Sequence, residues 1–226
     1  MQLLNSDLEK SSQLNESILR FYKDRFRILL IIYFFSEKTD NPEFPLLFYG
    51  EIKIQAIDFF IRNPDYLAFE LLSIAESDSE QSKEIKTIVK SIYKTSEPTI
   101  RRLEMEKFFY GAYEDIDDII AFLSSRGLLK YESKMRTNLR VAEKHYYITQ
   151  KAEVLLQNAE KEIEAAGWYY RRCSIIKSFL GGTTGSEMKA RQYQIGEYSN
   201  TTYKEKIDQI DDLVYEKFKE IYNESL

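Results

Sequence analysis

The 226 residues include one histidine, His145, and one cysteine, Cys173, so the side chains that most often serve as general base, activated nucleophile or zinc ligand are almost missing. A hydrolytic triad needs an imidazole to take the nucleophile's proton. His145 lies beside Tyr146 and Tyr147 in a run of strand-favouring residues, which predicts a packed histidine rather than a catalytic base. Cys173 follows Arg171 and Arg172, neighbours that favour a thiolate, but with no histidine close in sequence it reads as a packing residue. Neither residue has the companions of a Cys and His zinc site. The carboxylates Glu114, Asp115, Asp117 and Asp118 suffice for a magnesium site. They also open a helix, where the dipole favours negative charge, and the helix-start reading is preferred. The glycine-dense stretch Gly181-Gly182-Thr183-Thr184-Gly185 is followed by Ser186, Glu187 and Met188, whereas a phosphate-binding loop needs a lysine and a hydroxyl directly after its closing glycine. The expectation is a non-enzyme without metal or cofactor that acts through its surfaces.

Those surfaces need elements to position them. Apolar residues make up 43% of the chain and charged residues 31%, a mix that buries a core and argues against wholesale disorder. The length suits one large domain or two small ones. With 32 Lys+Arg against 37 Asp+Glu the net charge is -5, so any nucleic-acid contact must be local. Residues Met1 to Lys10 lack the basic patch and apolar run of a signal peptide. The apolar stretch Ile28 to Phe35 is far shorter than the roughly 18 to 20 residues of a membrane span. A reducing, cytoplasmic setting is expected.

With only 8 glycines and 4 prolines, and apolar residues spaced by three and four, the chain is predicted to be mainly α. A first helix is expected from about Glu16 to Phe35, within a helical lead of residues 1–45. A second begins near Glu51, with Ile54, Ile57, Phe60 and Ile61 on one stripe, and Asn63-Pro64 breaks it. Asp65 is placed to cap the next helix, Tyr66 to Leu72. Ile116, Ile119, Ile120 and Leu123 define an amphipathic helix that ends at Gly127. Leu128 to Tyr131 and Lys144 to Thr149 read as strands around a polar, basic excursion, and a further helix starts near Gln150. That order predicts a winged helix-turn-helix with one β-hairpin wing, inside a helical core of residues 46–180. Residues 181–202 are expected as a glycine-containing linker or loop, and 203–226 as a C-terminal amphipathic helix.

The helix before the wing is where such a fold places base-reading residues. Here its first turn is acidic, and carboxylates facing phosphates about 1.7 Å apart along the duplex are repelled. The wing carries Lys134, Arg136 and Arg140, which suit contact with a phosphate backbone with little sequence preference. A protein-docking role is favoured, and a stand-alone winged-helix transcription regulator is the alternative. On the last helix Ile207, Ile210, Val214 and Phe218 form a stripe that either packs on its own domain or docks on a partner.

Two stretches carry a family resemblance. Lys53-Ile54-Gln55-Ala56-Ile57-Asp58-Phe59-Phe60-Ile61-Arg62-Asn63-Pro64-Asp65-Tyr66-Leu67 is followed by Met105-Glu106-Lys107-Phe108-Phe109-Tyr110-Gly111-Ala112-Tyr113 and by Arg126-Gly127-Leu128. Together they resemble the middle component of ABC-three-component systems, which include the Lamassu antiphage defence systems. The first stretch is similar to that family's aspartate-aromatic helix ending in arginine and proline. The second resembles its tyrosine-glycine segment, with Ala112 where proline is usual. The resemblance spans about Phe48 to Ala152. It implies a non-catalytic winged-helix subunit between an SMC-like or Rad50-like ATPase and an effector, often a nuclease, with a part in sensing foreign DNA and controlling that effector. It also marks Asp58, Arg62, Asn63, Pro64, Tyr110, Gly111 and Tyr113 as motif residues. On physical grounds, Asp58 and Arg62 can form an i,i+4 pair, worth about 0.2 to 0.5 kcal/mol if exposed. A semi-buried Arg62 would instead offer fixed donors to carbonyls at a helix end or to a partner's carboxylate. Gly111 is expected to turn the chain between two helices, with Tyr110 and Tyr113 packed to either side.

Overall fold

The computed structural model describes residues 2–108, 111, 112, 114–135 and 141–226, without the side chains of 2–16, 111, 135, 141, 142 and 165. Within that range the protein is mainly helical and carries a small antiparallel sheet. In chain order the elements are α1 (Gln2–Phe35), β1 (Glu37–Lys38), β2 (Leu46–Tyr49), α2 (Glu51–Arg62), α3 (Pro64–Ser77), α4 (Ser82–Lys94), α5 (Glu97–Ile100), β3 (Lys107–Phe108) and β4 (Gly111–Ala112). They continue with α6 (Asp117–Ser125), β5 (Leu129–Met135), β6 (Val141–Ile148), α7 (Gln150–Glu162), α8 (Glu164–Leu180), α9 (Gly185–Gln192), α10 (Gly196–Asn200) and α11 (Asp211–Tyr222). No described helix is long and apolar enough to cross a membrane.

The chain divides into two compact units, each discontinuous in sequence. One comprises Met1–Tyr49 and Ile116–Tyr170, the other Gly50–Asp115 and Arg171–Leu226. This division differs from the expected segments, whose boundaries lie at residues 45, 180 and 202.

In the first unit α6 follows its predicted pattern, with Ile116, Ile119, Ile120 and Leu123 buried. Gly127, at φ 67°, ends it, and Leu128 N–H donates to Leu123 O at 3.0 Å, a closure that needs a residue without a Cβ penalty in the left-handed region. β5 and β6 then pair antiparallel, and the Thr149 hydroxyl caps α7. The helix, hairpin and helix thus occur in the expected order. The sheet extends beyond the hairpin, because β2 pairs with β6 and β1 with β2. One face of this sheet, carrying Phe48, Leu129, Tyr146 and Ile148, is buried, and α1 packs against β2, β6 and α6.

In the second unit α2 is buried on all sides from Ile54 to Arg62, so its polar members need partners inside the protein. The Gly181–Gly185 stretch is a tight corner rather than a linker. Thr184 and Glu187 form a capping box at the start of α9, and residues 181–202 contain α9 and α10. Gly185 is buried because α9 meets α2 there: a Cβ on it would stand 2.5 Å from Lys53 N and 2.8 Å from Lys53 Cα. Gly185→Ala should therefore force two backbones apart and cost about 1–3 kcal/mol, read as a lowered midpoint in urea denaturation. An unchanged midpoint would show that the contact yields freely.

Candidate functional site

The motif residues Asp58 and Arg62 stand one turn apart on α2, both buried, with Arg62 Nη1 3.5 Å from Asp58 Oδ2. Arg62 spends its remaining donors within the unit. Nε donates to Leu103 O at 3.3 Å, Nη2 to Glu104 O at 2.7 Å, and Nη1 pairs with the Glu114 carboxylate. Gln55, one turn before Asp58, donates to Glu114 O at 2.7 Å and accepts from Glu114 N–H at 3.2 Å. The two family-like stretches therefore meet through α2, which grips the chain on both sides of the second one. A planar guanidinium with its donors in a fixed fork suits this task. Arg62 meets carbonyls, but those of Leu103 and Glu104 lie beyond α5 rather than at a helix end, and the carboxylate it holds is the chain's own.

Asn63 and Pro64 make the break between α2 and α3. Asn63 Nδ2 donates to Phe59 O at 2.9 Å, and Pro64 occupies the first turn of α3, where its missing N–H costs nothing. Asp65 does not cap α3, whose N-cap position is Asn63. Its Oδ2 pairs with Arg102 Nη1 at 2.8 Å and accepts from Ile210 N–H at 3.1 Å, so it secures the start of α11. Burial raises the Asp65 carboxyl above its ordinary range, against the pull of Arg102. Arg102 also donates to Ile207 O at 2.7 Å, and Tyr66 OH to Asp208 O at 3.1 Å.

Through these bonds the C-terminal stripe packs on its own unit. Ile207, Ile210, Val214 and Phe218 are buried, and α11 lies on α3. The helix is shorter than expected, since residues 203–210 precede it without helical structure and Ile207 N–H instead donates to Met105 O at 3.0 Å. Glu224 closes the end of the chain onto α4, 2.6 Å from Lys86 Nζ and 2.7 Å from Lys90 Nζ. Hydrogen bonds from these lysines hold its carboxyl at about 2, below the ordinary 4.5. With the folded value depressed, the clip's contribution is complete above the ordinary value and lost as pH falls through about 2. An NMR titration of Glu224 should show that depressed midpoint, and an ordinary midpoint would mean that the clip does not form.

Gly111 does not turn the chain between helices: it lies in β4, paired with Phe108 of β3. Tyr110 and Tyr113 lie outside the described residues. The small hairpin is held from below by Lys107, a buried cation that donates to Tyr198 O and Ser199 O, at 2.8 and 2.5 Å. Burial lowers its pKa. Ala112 N–H donates to Tyr198 OH at 2.6 Å. The sequence reading missed Gln55, Arg102, Lys107 and Tyr198. The one signal for Gln55 was a polar residue in an otherwise apolar helix, and the others carried none.

In the first unit, Arg136 and Arg140 lie outside the described residues. Lys134 is exposed and stands opposite Glu143 in the strand register. Lys130 pairs with Glu132 at 2.9 Å, and Lys144 lies 3.7 Å from Asp117 at the acidic start of α6. The described part of the hairpin is therefore balanced in charge. His145 is buried, its ring edge-on to Tyr49 at 4.9 Å, with Nε2 2.8 Å from Glu143 Oε2. Among the described residues Nδ1, also buried, has no hydrogen-bond partner. Cys173 is fully buried, and burial pushes its thiol up despite Arg172, so it is a packing residue. Asp117 and Asp118 occupy the first turn of α6. Among the described residues no cluster of His, Cys, Asp and Glu fits a metal ion.

Comparison with family models, with curated proteins and with solved structures gives no match to the chain.

Proposed function

We propose that the chain is a non-catalytic accessory subunit of a Lamassu-like antiphage complex, placed in the cytoplasm between an SMC-like or Rad50-like ABC ATPase and an effector such as a nuclease. In this reading α6, β5, β6 and α7 form the winged helix, and the subunit helps to couple foreign-DNA sensing to effector control. One observation supports it: Arg62 and Gln55 of the first family-like stretch hold Leu103, Glu104 and Glu114, the residues that flank the second stretch. Polar groups that tie remote segments together in this way favour a rigid platform over a reactive site. DNA contact through Lys134, Arg136 and Arg140 is a secondary part of the proposal. The alternative, a stand-alone transcription regulator, finds less support in a hairpin whose described cations face carboxylates.

The purified chain, incubated with ATP and DNA, should hydrolyse neither above the buffer blank. Turnover by the chain alone would refute the accessory role. A sequence-specific gel shift that survives physiological salt would identify a regulator instead, because backbone contacts alone weaken steeply as salt rises.

A further inference from the structure

α1 is buried from Arg27 to Ile32, yet ahead of that segment it exposes Ile18, Leu19, Phe21 and Tyr22, at 48%, 54%, 39% and 59%. Phe21 stands edge-on to Tyr22 at 5.2 Å and to Phe122 of α6 at 5.4 Å. Cations ring this patch. Arg25 lies over Phe21, 3.1 Å from the ring centre, and Arg126 over Phe122 at 5.2 Å. Arg20 and Lys23 are exposed beside it, and Asp24 is held by buried Arg27 at 2.6 Å and lies 3.9 Å from Arg20. An exposed apolar cluster of this kind marks an interaction surface.

The character of the patch decides between two kinds of occupant. Nucleic-acid bases stack on open ring faces, but a face of Phe21 is taken by Arg25, and Ile18 and Leu19 offer no ring. A helix that carries leucines among acidic residues fits better. The same α1 supplies one in its first half, residues 2–16, where Leu3, Leu4, Leu8 and Leu14 accompany Asp7, Glu9 and Glu16 against a single cation, Lys10. That half is continuous in helix with the patch and cannot fold back on it, but the same segment of a second molecule can reach it.

We infer that two copies of the chain associate through α1 in antiparallel fashion, the acidic leucine-bearing half of each helix lying on the cationic aromatic patch of the other. The contact is isologous, so each complementary pairing occurs twice. A parallel arrangement would set acid on acid and base on base.

Size-exclusion chromatography with light scattering on the purified full chain should show a concentration-dependent dimer. The exposed change Ile18→Asp with Tyr22→Asp should weaken it at least tenfold while leaving the thermal melting curve unchanged. Asp7→Lys with Glu9→Lys should weaken it as well, as should Lys23→Glu with Arg126→Glu. The two charge reversals combined in one chain should restore the dimer, because antiparallel pairing regains complementarity. A monomer at every concentration, or a dimer indifferent to the apolar changes, would overturn the inference. Failure of the combined reversal to restore association would overturn its antiparallel form. The outcome is independent of whether the chain binds an ATPase.

Discussion

Replacing Arg62 with alanine is expected to destabilise the second unit by about 3–5 kcal/mol, the range found when one partner of a buried ion pair is removed. The side chain is 3% exposed and its neighbour Asp58 1%, so the substitution removes a cation from beside an interior carboxylate. It also strips the Leu103 and Glu104 carbonyls of their donor. Arg62→Lys should recover only part of the loss, since one ammonium cannot span carbonyls and carboxylates that the fork reaches together. Denaturant unfolding of the three proteins measures this directly. A loss under about 1 kcal/mol for Arg62→Ala, the scale of an exposed pair, would mean that the network contributes little.

Phe218→Ala is expected to cost a similar amount, about 3–5 kcal/mol for truncating a buried phenylalanine. Phe218 has no exposure, and α11 rests on α3. The loss should appear in the isolated chain, without any partner. If Phe218→Ala instead left stability intact and weakened only association with another protein, α11 would be a docking helix, the other outcome its stripe allowed.

These two residues illustrate what a sequence conveys and what it withholds. Val214 and Phe218 were legible as a stripe, because burial on one side leaves a helical period; that Ile207 and Ile210 are buried ahead of the helix was not, nor was what the stripe packs against, because an apolar face carries no address. Asp58 and Arg62 were legible as a pair one turn apart. Their burial, and the clamp on Glu114, depended on a part of the chain that nothing local in α2 specifies. α6 and its hairpin were read well, since a strong period ends at a glycine that the turn requires. β2 was missed because four apolar residues have no period of their own and pair with a distant strand. The Gly181–Gly185 stretch was legible as a loop but not as the place where two helices meet. Glycine permits close approach of two helices as readily as it permits a flexible joint, and only the neighbouring Lys53 backbone distinguishes them. Asp65 shows the same ambiguity for caps, since it secures the start of a helix, but that helix is α11.

Buried charge elsewhere in the second unit follows the pattern of α2. Arg172, 3% exposed, pairs with Glu97, and burial lowers its guanidinium to about 10. Arg191 holds Glu70 at 2.6 Å. Each joins segments remote in sequence, a use of ion pairs in which geometry matters more than net energy. Such cross-links favour a unit that keeps its shape, as the proposed accessory role requires.

The most direct measurement of the proposed bridging role is co-expression of the full chain with any SMC-like ABC ATPase encoded beside it, followed by affinity capture and size-exclusion chromatography at physiological salt. The account predicts a stoichiometric complex that elutes as one peak, with ATP hydrolysis belonging to the ATPase. Elution of the chain apart from that ATPase at micromolar concentrations of both would contradict it.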